Sequence, residues 1–326
     1  TTVNLDNVRV PNNNVLGEIG QGFKVAMSIL NSGRTGLGGG SVGAMKHLIA
    51  LSTKQANERK TFGQPISSYG LMKKKVAQMV IDCYTAEACV TMVGGLIDAG
   101  FKEYQVEAAI SKVYSTECLW RTADEALQIA AGNGFMKEYP YERIVRDCRI
   151  NRIFEGTNEI LRLLIALQAM NEVASQLQEL SSTMKGIFNE PIKGFGVLSD
   201  YARKHAALRT GIGGVAKLEG THEALQDQVA IFEESTRDLA QATDKILRKH
   251  GKGIIGKQFA SFRLAEIMID LFVMACTISR VQASTAAARS SASFTATSMA
   301  ETRPPPLRAR TRMRRVVRSW GGPASS

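Results

Sequence analysis

One glutamate stands in a setting that suits proton abstraction. Glu155 follows the apolar residues Ile153 and Phe154 and precedes Gly156, which allows another molecule to approach closely. Thr157 is a good N-cap for the helix that follows. A helix N-terminus favours the anionic form of a nearby carboxylate, whereas burial against apolar groups disfavours it. These opposed effects suit a general base, although the same residues also fit an ordinary acidic helix start.

Two further motifs could hold a cofactor that carries phosphate. Arg59-Lys60-Thr61-Phe62-Gly63 closes a predicted helix. An arginine beside a hydroxyl and turn amides can bind a diphosphate, but a basic residue at a helix end more often only compensates the helix dipole. The second motif runs from Gln128 to Gly134, and its glycines end a helix or admit a flat ligand or another backbone.

The composition indicates a globular protein from a reducing compartment. The chain has 326 residues, 44% of them hydrophobic, which is enough for one large or two ordinary domains with a core. The net charge is +11, but residues 281–326 contain eight arginines and a single acid, so the rest is nearly neutral and gives no argument for nucleic-acid binding. The five cysteines lack any metal-ligand spacing, which predicts free thiols and no metal site.

Helical periodicity dominates the chain and predicts an all-α fold. Residues 1–10 alternate like a single strand, which is the only β element expected. Long helices with short connections predict an antiparallel bundle followed by a second, smaller helical unit. The predicted helices cover residues 22–30, 42–58, 68–99, 105–131, a short stretch after Pro140, 158–180, 223–249 and 256–279.

Several segments, taken in order, resemble the acyl-CoA dehydrogenase family. They are ERKTFGQPI, ALQIAAGNGFMKEYPYERIVRD and RIFEGTNEILR, preceded by DNVRVPNNNVLGEIGQGFKVAMSILNSGR. The segment KHGKGIIGKQFASFRLAEIMIDLFVMACTISR is similar to the extra C-terminal domain of the very-long-chain branch. The resemblance covers residues 1–280. It implies that the family's N-terminal helical domain and most of its β domain, which holds the flavin ring, lie outside this sequence.

The resemblance also implies a division of the chain into five parts. They are the end of the middle β domain at 1–20, a helical bundle that binds FAD and acyl-CoA at 21–181, a linker at 182–222, a second C-terminal helical domain at 223–280 and a tail at 281–326. The tail is rich in alanine, serine and arginine and lacks periodicity, which predicts disorder. It is either an arm for an acidic partner or the product of a frame change in the gene.

Roles for individual residues follow from the same resemblance. Glu155 would remove the α-proton of an acyl-CoA thioester while hydride passes to FAD, with Asn31, Arg34 and Gly156 on the substrate side. The residues implied to contact FAD are Arg59, Thr61, Phe62, Gln128, Gly132, Thr157, Asn158 and Glu159. In the family, the Arg59 and Gln128 motifs reach the FAD of the neighbouring subunit, so a homodimer is implied. Ala130-Ala131 replaces a more usual Leu/Met-Gly pair and could crowd the flavin contact.

The implied activity is dehydrogenation of long or very long acyl-CoA in mitochondrial β-oxidation, with electrons passing to electron-transferring flavoprotein. The linker at 182–222 mixes apolar and basic residues, which suits peripheral attachment to the matrix side of the inner mitochondrial membrane or, equally, a solvated loop. Two alternatives stay open: a scaffold paralogue that assists assembly of respiratory complex I, and an inactive fragment.

Overall fold

The computed structural model describes residues 2–185, 218 and 220–294, and this part of the chain is almost entirely helical. The predicted all-α class is therefore confirmed. In the described ranges the α-helices are α1 Gly22–Glu58, α2 Gly70–Asp98, α3 Gln105–Ala130, α4 Gly132–Phe135, α5 Tyr141–Arg149, α6 Asn158–Lys185, α7 Gln226–His250 and α8 Gln258–Phe294. Short 3-10 segments lie at Asn12–Asn14, Ile66–Ser68, Ile150–Arg152, Glu223–Leu225 and Gly251–Gly256.

The first core lies between α1, α2 and α3, with α5 packed on α3. The sequence predicted two helices where α1 runs unbroken through a glycine-rich stretch. Packing explains part of the difference, because a Cβ on Gly38 would lie 2.7 Å from Ser111 Oγ, so glycine lets α1 cross α3 closely. The buried apolar residues of this core include Val42, Met45, Leu48, Met79, Ala86, Leu119, Ala123 and Ile129.

The second core joins the C-terminal helices to the bundle. Residues of α2 and α3 form one buried cluster with residues of α6, α7 and α8. The helices of the predicted second unit therefore pack directly against the bundle. The members of this cluster include Cys89, Ile110, Val113, Leu161, Ile165, Phe232, Leu239, Leu264, Ala265 and Ile269.

Ion pairs also fasten α8 to the bundle. Glu87 on α2 accepts hydrogen bonds from Lys46 of α1 and, at 2.6 Å, from Arg280 of α8. The Arg280 guanidinium also lies 4.7 Å from the ring centroid of Tyr84. Helix α8 extends to Phe294, so the first part of the tail that was predicted to be disordered is helical.

The β structure differs from the predicted N-terminal strand. Residues 2–10 form no strand, and Val3, Leu5, Val8 and Val10 are exposed, because an isolated strand has no partner within the described chain. The observed strands are β1 Lys60–Thr61 and β2 Gln64–Pro65, which pair antiparallel.

All five cysteines are free, as the sequence predicted, and all five are buried. Burial raises the pKa of Cys118 to about 12 and that of Cys148 to about 11, so both remain protonated thiols at neutral pH.

Candidate active site

Glu155 lies in a turn of unusual backbone geometry between Ile150–Arg152 and α6. Its φ is +58°, and that of the following Gly156 is +91°. Glycine adopts this left-handed region freely, but a residue with a side chain pays about 1–3 kcal/mol for it. The turn must therefore be held by its surroundings.

The first restraint comes from Arg34 on α1. Its Nε donates to the Glu155 carbonyl oxygen at 3.2 Å, and its Nη1 donates to Asn31 Oδ1 at 3.0 Å. The side chain is buried, and burial lowers the pKa of Arg34, an effect that the Glu155 carboxylate opposes. The structure thus brings Asn31 and Arg34, two residues predicted to lie on the substrate side, against the candidate base.

The Glu155 side chain occupies space that a glycine leaves open. A Cβ on Gly33 would lie 2.4 Å from Glu155 Oε2 and 2.5 Å from Oε1. Oε2 is buried and has no hydrogen-bond partner among the described residues. A buried carboxylate oxygen normally finds a partner, so an unpaired one is free to accept a proton from a bound molecule.

The second restraint is Lys112 on α3, which was not predicted from the sequence. This lysine is 0% exposed, and its Nζ donates to the Gly156 carbonyl at 2.9 Å and to Asn158 Oδ1 at 2.8 Å. Burial and then Arg34 lower the pKa of Lys112 to about 8, against the opposing influence of Glu155 and other carboxylates. The available signal in the sequence was a lysine directly before the apolar Val113 in a predicted helix.

Asn158 links the turn to a polar network at the base of α6. Its Nδ2 donates to Thr116 Oγ1 at 3.0 Å and to Glu117 Oε1 at 2.9 Å. Glu117 in turn pairs with Arg152 at 3.0 Å and with Arg162 at 3.6 Å. The sequence assigned Asn158 to the cofactor, but its side-chain amide is fully buried and used in these bonds. The side chain orients the turn, and a cofactor contact through the Asn158 backbone stays a prediction.

Thr157 and Glu159 lie at the start of α6 on its accessible side. Ile160 N–H donates to Thr157 Oγ1 at 3.3 Å, which confirms the predicted N-cap. Glu159 is exposed, and its own backbone amide lowers the pKa of its carboxyl, with a further contribution from the Thr157 hydroxyl.

Arg59, Thr61 and Phe62 form a separate group at the other end of α1. Phe62 and Gly63 have φ values of +50° and +81° and join β1 to β2 as a two-residue turn. Phe62 is 98% exposed, and the Arg59 side chain is exposed as well. At 1.5 Å per helical residue, Arg59 lies about 37 Å along α1 from Arg34, so this group is remote from Glu155 of the same chain.

Gln128 and Gly132 are both exposed where α3 passes into α4. Ala131 joins the two helices at φ +53°, and a Cβ on Gly134 would lie 2.3 Å from the Leu127 carbonyl oxygen, so only glycine fits there. Ala130 is buried in the bundle core, whereas Ala131 is exposed, so only the Ala131 methyl could crowd a ligand.

The comparisons with known proteins match two parts of the chain. Residues 20–170 match the family model described as acyl-CoA dehydrogenase, C-terminal domain. Residues 223–318 match the model described as ACAD9/ACADV, C-terminal domain. The second match continues beyond Arg280, so the end of the resemblance predicted from the sequence was too early.

Curated relatives include the very long-chain specific acyl-CoA dehydrogenase, mitochondrial, of Rattus norvegicus. It is 42% identical over 283 residues, which are 86% of this chain and 43% of the relative. The Homo sapiens protein of the same name is 42% identical over 280 residues, 86% of this chain and 42% of the relative. The chain therefore spans less than half the length of these relatives.

A solved structure gives the same result at the level of the fold. The acyl-CoA dehydrogenase complexed with FAD from Bacillus anthracis aligns with a TM-score of 0.69 and 26% identity, covering 96% of this chain and 59% of that one. The chain belongs to the acyl-CoA dehydrogenase family and corresponds to the C-terminal portion of its very-long-chain members.

Proposed function

We propose that this chain supplies the catalytic base of an FAD-dependent dehydrogenase that converts long or very long acyl-CoA to trans-2-enoyl-CoA. The observation that carries the proposal is the carboxylate of Glu155. One of its oxygens is buried over Gly33 with no hydrogen-bond partner in the described part of the chain, and its backbone turn is held by two buried basic side chains, Arg34 and Lys112. Such preorganisation is expected of a group that must meet one substrate atom in a fixed position.

The chemistry assigned to Glu155 is removal of the α-proton of the thioester. The α C–H bond breaks, the proton goes to the unpaired Oε2, and the electron pair forms the α,β double bond as the β-hydrogen leaves as hydride. When bound, FAD supplies the hydride acceptor. Arg34 and Asn31 hold the base and its backbone in place from α1, and Gly156 leaves room beside the carboxylate for the substrate.

The residues expected at the cofactor fit a diphosphate and a flat ring system. Arg59 is exposed with its guanidinium available, beside the Thr61 hydroxyl and the projecting ring of Phe62. An exposed phenylalanine in a left-handed turn is unfavourable for an isolated chain, which supports a ligand that covers it. The similarity to the FAD complex from Bacillus anthracis supports FAD as that ligand.

The distance between the two groups supports a homodimer. Arg59 lies about 37 Å along α1 from Arg34, and Gln128 lies about 24 Å along α3 from Lys112. We propose that the Arg59 and Gln128 groups serve the flavin of a second subunit, while Glu155, Thr157 and Glu159 serve the flavin of their own subunit. The electron acceptor proposed for the reduced flavin is electron-transferring flavoprotein.

The proposed location is the matrix side of the inner mitochondrial membrane. The rat and human relatives are named as mitochondrial proteins, which supports the compartment. The proposed membrane segment at 182–222 falls largely outside the described residues. Its support is compositional, since Ile187, Phe188, Ile192 and Phe195 are interspersed with basic residues.

The test is anaerobic titration of the FAD-loaded, full-length protein with acyl-CoA of graded chain length, followed by the flavin absorbance band. Bleaching by long-chain substrates supports the proposed dehydrogenase. A protein that binds FAD or acyl-CoA but shows no bleaching with any chain length contradicts it and favours the assembly scaffold. If residues 1–326 expressed alone bind neither FAD nor acyl-CoA while the full-length protein binds both, this chain by itself is an inactive fragment.

A further inference from the structure

The buried lysine Lys112 takes no part in the proton and hydride transfers described above. It is the largest side chain that is fully buried in the described part of the protein. Both of its hydrogen-bond partners, the Gly156 carbonyl and Asn158 Oδ1, are neutral oxygens. A buried ammonium group without a directly bonded carboxylate is unfavourable for the fold alone. Its position is therefore informative about function.

The contacts of Lys112 fall on the turn that presents the base. Arg34 holds the carbonyl of Glu155, and Lys112 holds the carbonyl of the next residue, Gly156. Two successive left-handed residues are thus each fixed by a basic side chain from a different helix, α1 and α3. Through Asn158, Lys112 also fixes the first residue of α6.

The charged groups around Lys112 have opposite effects on its protonated form. Arg34, from α1, disfavours the ammonium, whereas Glu117 on α3, Glu155 in the turn and Glu159 on α6 favour it. The ammonium of Lys112 and the Glu155 carboxylate therefore attract each other. Loss of the proton would remove this attraction and weaken both hydrogen bonds.

We propose that protonated Lys112 is a positioning residue, which holds the Glu155–Gly156 turn in its left-handed conformation and so fixes the carboxylate for proton abstraction. This inference rests on the proposed dehydrogenase function. Lys112 touches neither the substrate nor the flavin in this account. Its effect on the reaction passes through the Gly156 carbonyl and the field at Glu155.

The first arm of the test uses substitutions in the FAD-loaded, full-length protein. Lys112→Met should lower the limiting rate of flavin reduction by roughly a hundredfold, which is the expected effect of a base displaced by about 1 Å. The KM for acyl-CoA should change less than about threefold, because no substrate contact is lost. Lys112→Gln, which keeps an N–H donor for Gly156, should recover part of the rate. Lys75→Met removes a half-buried lysine that pairs with Glu125 and serves as the control.

The second arm is the pH profile, which a merely structural lysine would not affect. The pKa of Lys112 lies at about 8 in the folded protein, so the ammonium is present below that pH and is lost as the pH rises through it. The reduction rate of the wild type should therefore fall as the pH rises from about 7 to about 9.5. The fall should be absent in Lys112→Met and in Lys112→Gln, whose rates should stay level over the same range.

The outcomes separate this inference from the proposed function. If the wild type is not reduced by acyl-CoA, both fail. If the wild type is reduced and Lys112→Met keeps more than about a third of its rate, the positioning role fails alone. If Lys112→Met does not fold, the pH profiles of the wild type and of Lys112→Gln test the positioning role. A wild-type rate that is level above about pH 7, or an unchanged alkaline fall in Lys112→Gln, overturns the inference.

Discussion

The carboxylate of Glu155 lies over Gly33, at a distance that leaves no room for a methyl group on that residue. A Cβ at Gly33 would lie 2.4 Å from Oε2 and 2.5 Å from Oε1. Gly33 is therefore part of the active-site shape, although it carries no functional group. Gly36, which is also on α1, has open space instead, since a Cβ there would meet nothing within 4 Å among the described residues.

This contrast gives a matched pair of substitutions. Gly33→Ala should displace the Glu155 carboxylate and lower the rate of flavin reduction by roughly a hundredfold. Gly36→Ala should leave the rate unchanged and stabilise the helix by about 0.5–1 kcal/mol, because alanine is the better helix former. Stopped-flow reduction and thermal unfolding of both variants provide the measurement. Equal rates for the two variants would show that Gly33 is not needed to seat the base.

Phe62 offers a test of the cofactor group, because its conformation is unfavourable without a ligand. It is 98% exposed at φ +50° in a two-residue turn, where asparagine is preferred. Phe62→Asn should relieve about 1 kcal/mol of strain and raise the Tm of the FAD-free protein. It should also weaken FAD binding, since the ring is lost. A variant with unchanged FAD affinity would mean that Phe62 does not contact the cofactor.

Arg59 is expected to bind the flavin diphosphate. Arg59→Ala should weaken FAD binding by about 1.5–3 kcal/mol, the usual range for a hydrogen bond to a charged group. Arg59→Lys should recover only part of this, because lysine lacks the planar fork. The FAD content after gel filtration measures the effect, and Lys54→Ala on the same helix is the control. Full FAD content in Arg59→Ala would mean that Arg59 only compensates the helix dipole and does not bind the cofactor.

The membrane proposal is tested by sedimentation with liposomes. The full-length protein should pellet with cardiolipin-containing vesicles at low salt and less at high salt, because each basic residue near an anionic surface contributes about 1 kcal/mol. Replacement of Phe188, Ile192 and Phe195 together by serine should abolish pelleting at both salt concentrations. If the triple variant pellets as the wild type does, the anchor lies elsewhere.

The sequence predicted the helices well because their apolar periodicity is read locally. Apolar residues that recur along α3, such as Ile110, Val113 and Leu119, are buried in the structure. The sequence predicted two helices in place of α1 because a run of glycines locally disfavours a helix. In the structure, the close packing of α1 against α3 requires a glycine at Gly38. The predicted strand at residues 1–10 is also absent from the described residues. A strand needs a second strand to pair with, and local alternation does not show whether one is present.

The candidate site was predictable only where a motif marks it. Glu155, Gly156 and Thr157 stand in one stretch of sequence, so they were found together. Lys112 and Gly33 approach the same turn from α3 and α1, and their distance along the chain hides the relationship. The left-handed φ of Glu155 is likewise a result of tertiary restraint, and residue type alone does not indicate it.

Removal of the α-proton by Glu155 is tested by the rate of flavin reduction in Glu155→Gln. Glutamine has nearly the same shape but cannot accept the proton, so FAD and acyl-CoA should still bind. Under anaerobic single-turnover conditions with saturating long-chain acyl-CoA, we expect the reduction rate to fall at least about a thousandfold. A variant that keeps more than about a tenth of the wild-type rate would contradict the assignment of Glu155 as the base.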